Sequence, residues 1–227
     1  MNEQELITYD VLKQGGFMPA PKKFTTEQLQ AAALALVDEQ GLAGLTMRSL
    51  ASALGTGPMT IYNYVNGREG LEQLVTGAVA AQARWTTESS GDWTDEVFAV
   101  AEGMWRAIRA HPHVIPLILT RRSLDQPTLA TAEALLRALA RSGRSGAELL
   151  VAFRAVSGFI TGFAQGELAG PLSVARGQDP AAIAERIVSL PPENFAKMIE
   201  IANAAMDSDP EDEFRAGLRI IVTGLKA

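Results

Sequence analysis

Residues 46–71, TMRSLASALGTGPMTIYNYVNGREGL, bring hydroxyl, amide and aromatic side chains together just after a glycine–proline break. The side chains in question are those of Thr60, Tyr62, Asn63 and Tyr64. Hydroxyl groups donate hydrogen bonds to phosphate oxygens, and an asparagine amide can pair with the edge of adenine. This segment therefore has the chemistry to read a DNA groove, provided that the surrounding elements present it to solvent.

The composition limits which kinds of protein this chain can be. It has 227 residues, of which 47% are hydrophobic and 20% charged, as in a soluble globular protein. The net charge of −6 argues against coating nucleic acid or membrane by bulk electrostatics. The absence of cysteine excludes disulfides, thiolate metal sites and cysteine nucleophiles. We find no signal peptide and no uninterrupted apolar run of about 18 residues, so a cytoplasmic location away from membranes is expected.

Residues that are typical of helix starts and helix ends predict short helices from residue 25 onward. Thr25 and Gln28 match a capping box, in which each side chain satisfies a free backbone N–H of the helix start. Pro58 suits the first position of a helix because its missing N–H would be unpaired there. A fourth helix is expected to run to about residue 84. The predicted starts and stops in this region are Thr25, Gly41, Thr46, Gly55, Gly57 and Asn66.

The rest of the chain also favours helices. Asp209, followed by proline and two acidic residues, has the pattern of a capped helix start, and no segment shows the alternation typical of strands. We therefore predict an all-α protein. Its expected parts are an N-terminal extension at 1–24, a three-helix domain at 25–72 and a helical regulatory and dimerisation domain at 73–227.

Three short helices, with a glycine-containing turn between the second and third, match a helix-turn-helix DNA reader. Ile61 and Val65 can form the apolar face by which the third helix packs on the rest of the domain. Between Gln40 and Arg68 there are two arginines and no acidic residue, yet residues 21–75 carry four basic and five acidic side chains. DNA affinity must then depend on the placement of a few cations, which predicts a shallow dependence on salt.

The stretches AALALVDEQGLAGLTMRSLASALG and GPMTIYNYVNGREGLEQLV resemble the DNA-binding domain of the TetR/AcrR family of one-component repressors. The resemblance implies a ligand-responsive repressor that binds a palindromic double-stranded operator. Met47 and Gly67 depart from the residue types that are common in the family, and the operator sequence cannot be predicted. The residues that the resemblance assigns to DNA binding are Arg48, Gly57, Pro58, Met59, Thr60, Tyr62, Asn63, Tyr64 and Arg68.

Two features of the C-terminal part suit a homodimer. Gly158, Gly162 and Gly166 recur every four residues and would allow close helix approach. The last helix carries an apolar stripe from Phe214 to Leu225. Either feature alone is also compatible with an intramolecular core. In the resembled family the corresponding late helices form a four-helix bundle between two subunits, and two recognition helices read a palindrome.

Residues 93–124 and 154–167 resemble the regulatory domain of the tetracycline-repressor subgroup. Ile118 and Phe159 stand where that subgroup chelates a metal with histidine, so a magnesium–tetracycline ligand is not expected. A mostly apolar small molecule fits better, with Glu167 or Arg122 as a polar anchor. The same positions could also be packed core. The predicted effector-binding residues are Met104, Ile118, Arg122, Phe159, Phe163 and Glu167.

The chain offers little for catalysis. His111 and His113 flank Pro112 without a nearby carboxylate pair, so we predict a turn between two helices and neither metal nor cofactor. No nucleophile or acid–base pair is evident, which disfavours an all-α enzyme. A helical ligand-binding or interaction module that no longer contacts DNA remains the main alternative to a DNA-binding repressor.

Overall fold

The computed structural model describes residues 23–86, 91–121, 123–169 and 180–226. These residues form eleven α-helices and a 3-10 turn at Pro112–Val114, and the described ranges contain no strand, so the all-α prediction is confirmed. The helices are α1 Thr26–Gly44, α2 Met47–Ala53, α3 Pro58–Tyr62, α4 Gly67–Gln82, α5 Trp93–Ala110, α6 Ile115–Thr120, α7 Gln126–Ala140, α8 Gly146–Ala169, α9 Pro180–Val188, α10 Pro192–Met206 and α11 Pro210–Gly224.

Helix α1 begins at the predicted capping box. The Thr25 hydroxyl accepts from the Gln28 N–H at 3.2 Å, and the Gln28 side chain accepts from the Thr25 N–H at 2.9 Å. Gly41, the predicted end of this helix, does break the helical backbone with a φ of 68°. Gly41 can adopt this positive φ because it has no Cβ and so avoids the steric cost that other residues pay. Helical structure resumes after it and continues to Gly44.

Helix α4 joins the N-terminal helices to the rest of the protein. It packs against α1 on one side and against α5, α6 and α7 on the other. Leu71, Val75 and Val79 are buried along it and follow the helical period. It ends at Gln82, slightly before the predicted residue 84. Because this one continuous helix contacts both regions, a displacement of its C-terminal half would also shift its contacts with α1.

The C-terminal core lies between α5, α7, α8 and α11, which pack against one another. Its fully buried members include Trp105, Leu135, Ile160 and Phe214. Ion pairs on the rim join α5 to α11: Arg215 Nε lies 2.8 Å from Glu102 Oε1, and hydrogen bonding to this carboxylate raises the pKa of Arg215. Helices α9 and α10 pack on each other as a hairpin.

Helix α8 carries more apolar surface than the fold buries. Its segment Gly146–Leu168 is long enough to cross a membrane. The most apolar 18-residue stretch of this segment has a mean hydropathy of 1.4, and 22% of that stretch is buried. The face that includes Gly158, Gly162 and Gly166 is exposed, and a Cβ added at any of the three would meet no described atom within 4 Å. On α11, the side chain of Ile220 is 76% exposed. The two helices thus leave an apolar surface uncovered in the single chain.

Candidate DNA-binding surface and effector cavity

The local sequence sets α3 apart as a short, separate helix. Thr46 caps α2 through a reciprocal pair of hydrogen bonds with Ser49, a capping box in which serine takes the usual place of glutamate. Gly55 follows α2 with a φ of 61°, and α3 starts after Gly57 with Pro58 in its first turn, as predicted. The turn between α2 and α3 therefore has the residues that a helix-turn-helix needs.

Helix α3 is attached to the core by one side and open to solvent on the other. Ile61 and, just after the helix, Val65 are buried. Met59 is 76% exposed and Tyr62 is 52% exposed. Because the interior side chain alternates with these two large exposed ones, α3 presents an apolar and aromatic surface outward. An apolar surface that is exposed in this way is typical of a binding site.

The remaining predicted contacts around α3 differ in their surroundings. Asn63 is exposed at the C-terminal end of the helix, and Arg48 is exposed on α2. No hydrogen bond or ion pair joins Arg48 to another residue of the described ranges, and its contact with DNA stays a prediction. Thr60 is half-buried, and its hydroxyl accepts from Thr56 at 3.1 Å.

Tyr64 is engaged within the protein. Its hydroxyl accepts a hydrogen bond from the Phe24 N–H at 2.9 Å, and its ring lies tilted on the Phe24 ring at 6.2 Å. This contact fixes the start of α1 to the end of the helix-turn-helix. The structure therefore gives Tyr64 a positioning role, and its predicted contact with DNA stays a prediction.

Arg68 also binds within the protein. Its Nε donates to Glu72 at 2.8 Å, its Nη2 donates to the Leu42 carbonyl at 2.9 Å, and its Nη1 donates to the Leu45 carbonyl. The carbonyls belong to the end of α1 and the residue that follows it. Arg68 thus fastens the N-terminus of α4 to the junction of α1 and α2, while 47% of its side chain remains exposed.

A cavity of about 220 Å³ lies among α4, α5, α6, α7 and α8. Its wall is mostly aliphatic and contains two of the predicted effector-binding residues, Met104 and Ile118. Five hydroxyl side chains and Arg121 are the polar exceptions among the described lining residues. The lining residues are Thr76, Val79, Ala80, Ala83, Met104, Ala107, Ile108, Ile118, Arg121, Ser123, Thr128, Thr131, Ala132, Phe153 and Thr161.

Two predicted effector residues, Phe159 and Phe163, lie in an aromatic cluster instead of on this cavity wall. Phe163 meets Trp105 edge-on at 6.0 Å, and Phe159 packs on Phe214 at 5.3 Å. The Phe159 ring occupies the space that a Cβ at Gly217 would need, so α8 and α11 approach closely here. The resemblance assigned both phenylalanines to a ligand cavity, whereas here Phe214 of α11 packs against them, and their contact with an effector stays a prediction.

Glu167, predicted as a polar anchor, is already paired. It accepts from Trp105 Nε1 at 2.9 Å and lies 2.8 Å from Arg109 Nε. It therefore supports the aromatic cluster and is not among the described lining residues of the cavity. The other proposed anchor, Arg122, lies outside the described residues, as do residues 1–22 of the N-terminal extension.

Sequence reasoning missed Arg121 and Glu72. Arg121 lines the cavity, and its Nε lies 3.0 Å from Glu72 Oε2. The Glu72 side chain is only 7% exposed, and its buried Oε2 atom pairs with Arg121 by charge but receives no hydrogen bond from the described residues. The signal was present: Glu72 shares the face of α4 that carries Val75 and Val79, where an acid is unexpected.

The two histidines attach the turn between α5 and α6 to α1. His111 Nδ1 lies 2.9 Å from Asp38 and its Nε2 lies 2.9 Å from Gln82, while His113 Nδ1 lies 3.0 Å from the Val37 carbonyl. The predicted turn between helices is confirmed. Both histidines therefore act as structural links between the two regions of the protein.

Comparison with known proteins identifies both regions. Residues 29–73 match the model of bacterial regulatory proteins of the tetR family, and residues 86–227 match the tetracyclin repressor-like C-terminal domain. A transcriptional regulator of Saccharopolyspora erythraea is 32% identical over 69% of this chain, and the chain spans 64% of that relative's length. The class D tetracycline repressor of Escherichia coli is 29% identical over 90% of each chain.

Solved structures agree with the sequence comparisons. The TetR family protein ActR of Streptomyces coelicolor, in complex with actinorhodin, superposes with a TM-score of 0.74 and is 26% identical, covering 91% of this chain and 96% of its own. The likeness includes both the helix-turn-helix region and the helical C-terminal region. The chain therefore belongs to the TetR family of bacterial regulators and has a C-terminal domain of the tetracycline-repressor type.

Proposed function

We propose that this chain is a transcriptional repressor that binds a palindromic operator as a homodimer and leaves it when a small, mostly apolar effector fills the cavity. The surface of α3 carries the proposal, because Met59 and Tyr62 project into solvent while Ile61 holds the helix to the core. The relatives are transcriptional regulators, which favours this function over an enzyme or a module without DNA binding. Such a regulator would act in the cytoplasm.

The exposed surface of α8 and α11 supports the homodimer. Two copies that pair α8 and α11 would cover the apolar surface around Gly162 and Ile220 that each chain leaves open. A two-fold axis would place the two α3 helices about one DNA turn, roughly 34 Å, apart. This pairing also accounts for the long apolar run of α8 without a membrane.

The position of α4 supports release by an effector. Thr76, Val79 and Ala80 of α4 line the cavity, whereas Arg68 at its other end holds the junction of α1 and α2. A ligand that displaces the cavity end of α4 would therefore change the spacing of the two recognition helices. Coupling of ~1–3 kcal/mol, or about 5- to 150-fold in operator affinity, is typical of allosteric pairs.

Relatives suggest the kind of effector. ActR was solved with actinorhodin, and other relatives are named as tetracycline repressors, so aromatic small molecules are the natural first class to test. Met104 and Ile118 give the cavity of this chain an apolar wall that suits such ring systems. Ile118 offers no metal ligand, and we do not expect a magnesium chelate here.

The operator-binding surface can be tested with Tyr62→Ala. We expect affinity for fragments of the promoter region beside the protein's own gene to fall about tenfold, because both subunits lose an aromatic phosphate contact. Fluorescence anisotropy at fixed salt measures the affinity. Leu129→Ala on α7 removes a similarly exposed apolar side chain and should change nothing. Unchanged binding by Tyr62→Ala, with the dimer intact, would reject α3 as the recognition helix.

The dimer surface can be tested with Ile220→Asp. A carboxylate placed at the centre of an apolar interface would have to be desolvated without a partner, so we expect the variant to be monomeric. Light scattering after size exclusion gives the molar mass. Leu129→Asp makes the same chemical change on α7, away from the proposed interface, and should stay dimeric. A dimeric Ile220→Asp variant would show that the subunits pair through another surface.

A further inference from the structure

The hydroxyl groups on the cavity wall already donate hydrogen bonds to acceptors within the protein. Thr131 donates to the Pro127 carbonyl at 2.8 Å, and Thr161 donates to the Ser157 carbonyl at 3.1 Å. Thr128 donates to Asp125 at 2.8 Å, and Ser123 donates to the same carboxylate. Such hydroxyls can accept a hydrogen bond from a ligand but offer it no donor without breaking a bond they already make.

Thr76, the fifth hydroxyl, is likewise engaged: its Oγ1 lies 3.0 Å from Ser123 Oγ and contacts the Glu72 carbonyl at 3.3 Å. Among the described lining residues, this leaves Arg121 as the source of unused N–H groups. Its Nε faces Glu72, and its two Nη groups have no partner among the described residues. The Arg121 side chain is 59% exposed, which places the guanidinium at the mouth of the cavity, where a ligand would enter.

The charge of Arg121 is only partly balanced. Glu72 serves two guanidinium groups, because Arg68 donates to its Oε1 at 2.8 Å while Arg121 lies beside its Oε2. The other nearby carboxylate, Asp125, accepts from Ser123 and Thr128 at the start of α7. An aliphatic cavity with a cation at its mouth suits a ligand with an apolar body and one anionic group.

We propose that the effector of this protein is an apolar, ring-containing molecule with one anionic group, such as a carboxylate, and that Arg121 is the residue that binds this group. The inference rests on the proposed role of the cavity as the effector site. It names the ligand class and assigns its recognition to Arg121, whereas the sequence pointed to Arg122 or Glu167.

Binding of the anion also supplies a reason for the protein to respond. The anionic group competes with Glu72 for the Arg121 guanidinium. When Arg121 turns to the ligand, Glu72 remains buried with Arg68 as its partner, and a buried carboxylate that loses a counter-charge is destabilised. Movement of α4 toward water relieves this, and the same helix carries the Arg68 contacts with Leu42 and Leu45. Ligand charge is thereby linked to the geometry of the DNA-binding region.

Two fluorescent probes with the same ring system test the proposal without DNA. Anilinonaphthalenesulfonate carries an anionic sulfonate, and phenylnaphthylamine lacks it. For Arg121→Gln we expect the anionic probe to bind about tenfold more weakly, the size expected for one charge-assisted interaction, while the neutral probe changes less than about twofold. Arg137→Gln, on the exposed side of α7, is the matched control and should leave both probes unchanged.

Two further variants locate the probes and test the competition. Ile118→Trp fills the cavity and should abolish binding of both probes, with circular dichroism confirming the fold. Glu72→Gln removes the competitor for Arg121 and should tighten binding of the anionic probe about threefold. The proposal is overturned if Arg121→Gln weakens both probes equally or neither, if Ile118→Trp still binds the anionic probe, or if Glu72→Gln weakens its binding.

These measurements are independent of operator binding. A chain that fails to bind promoter DNA while distinguishing the two probes through Arg121 would contradict the proposed repressor function and leave the anion site intact. If the chain binds its operator through Tyr62 but Arg121→Gln changes the affinity for both probes equally, the repressor function stands and the anion site is contradicted.

Discussion

Trp105→Ala is expected to lower the free energy of unfolding by about 3–5 kcal/mol, the range for truncating a buried aromatic side chain. Trp105 is 1% exposed and stacks on Phe214 with the ring centroids 4.6 Å apart and the planes 9° from parallel. Alanine would leave a cavity between α5 and α11 and would remove the indole N–H that Glu167 accepts. The substitution therefore removes apolar, aromatic and polar interactions together.

Urea unfolding at one fixed protein concentration measures the change, because the stability of a dimer depends on concentration. Phe195→Ala on α10 is the matched control. Phe195 is 43% exposed, and its removal should change the free energy of unfolding by less than about 0.5 kcal/mol. If Trp105→Ala cost no more than this control, the aromatic cluster would not be the core of the C-terminal region.

The helix starts could be predicted because their causes are local. The Thr25–Gln28 capping box and the Asp209 cap each depend on residues within three positions of one another, and both form as expected. Gly57 and Pro58 set the start of α3 for the same reason. A single sequence is therefore enough to place these elements, and with them the helix that exposes Met59, Tyr62 and Asn63.

Contacts between distant residues could not be predicted in this way. The resemblance assigned Phe159 and Phe163 to a ligand cavity, but a single sequence carries no information about which side chains pack against them. Helix α11 supplies Phe214 from more than fifty positions away. The same limit applies to Arg121 and Glu72, which are 49 positions apart (121 − 72) and meet only because α6 packs on α4. The cavity's location was predictable from resemblance in part, through Met104 and Ile118.

Tyr64 and Arg68 show a further limit. Their residue types favour phosphate contact, and their positions resemble those of DNA-binding residues. The structure adds strong internal partners, the Phe24 N–H for Tyr64 and the ends of α1 for Arg68. A hydrogen-bonding group near a binding surface can position that surface instead of touching the ligand, and sequence alone does not separate the two roles.

Arg68→Met is expected to lower the free energy of unfolding by about 2 kcal/mol. The change removes the donor to the Leu42 and Leu45 carbonyls and leaves Glu72 buried with Arg121 alone. Breaking a fully buried ion pair costs about 3–5 kcal/mol, and we expect less here because water reaches the half-exposed Arg68 side chain. Arg137→Met breaks an exposed pair with Glu133, also four residues apart, and should cost under about 0.5 kcal/mol.

The salt dependence of operator binding then separates the two roles of Arg68. If its guanidinium binds phosphate, Arg68→Met reduces the slope of log affinity against log salt by about 0.9 for each phosphate that is no longer neutralised. If it positions the junction of α1 and α2, affinity falls while the slope stays the same, because the number of neutralised phosphates is unchanged. Three internal acceptors already hold the guanidinium, so we expect an unchanged slope. A reduced slope would instead show that Arg68 contacts DNA phosphate. Helix α4 would then be coupled to the DNA-binding region through its packing against α1.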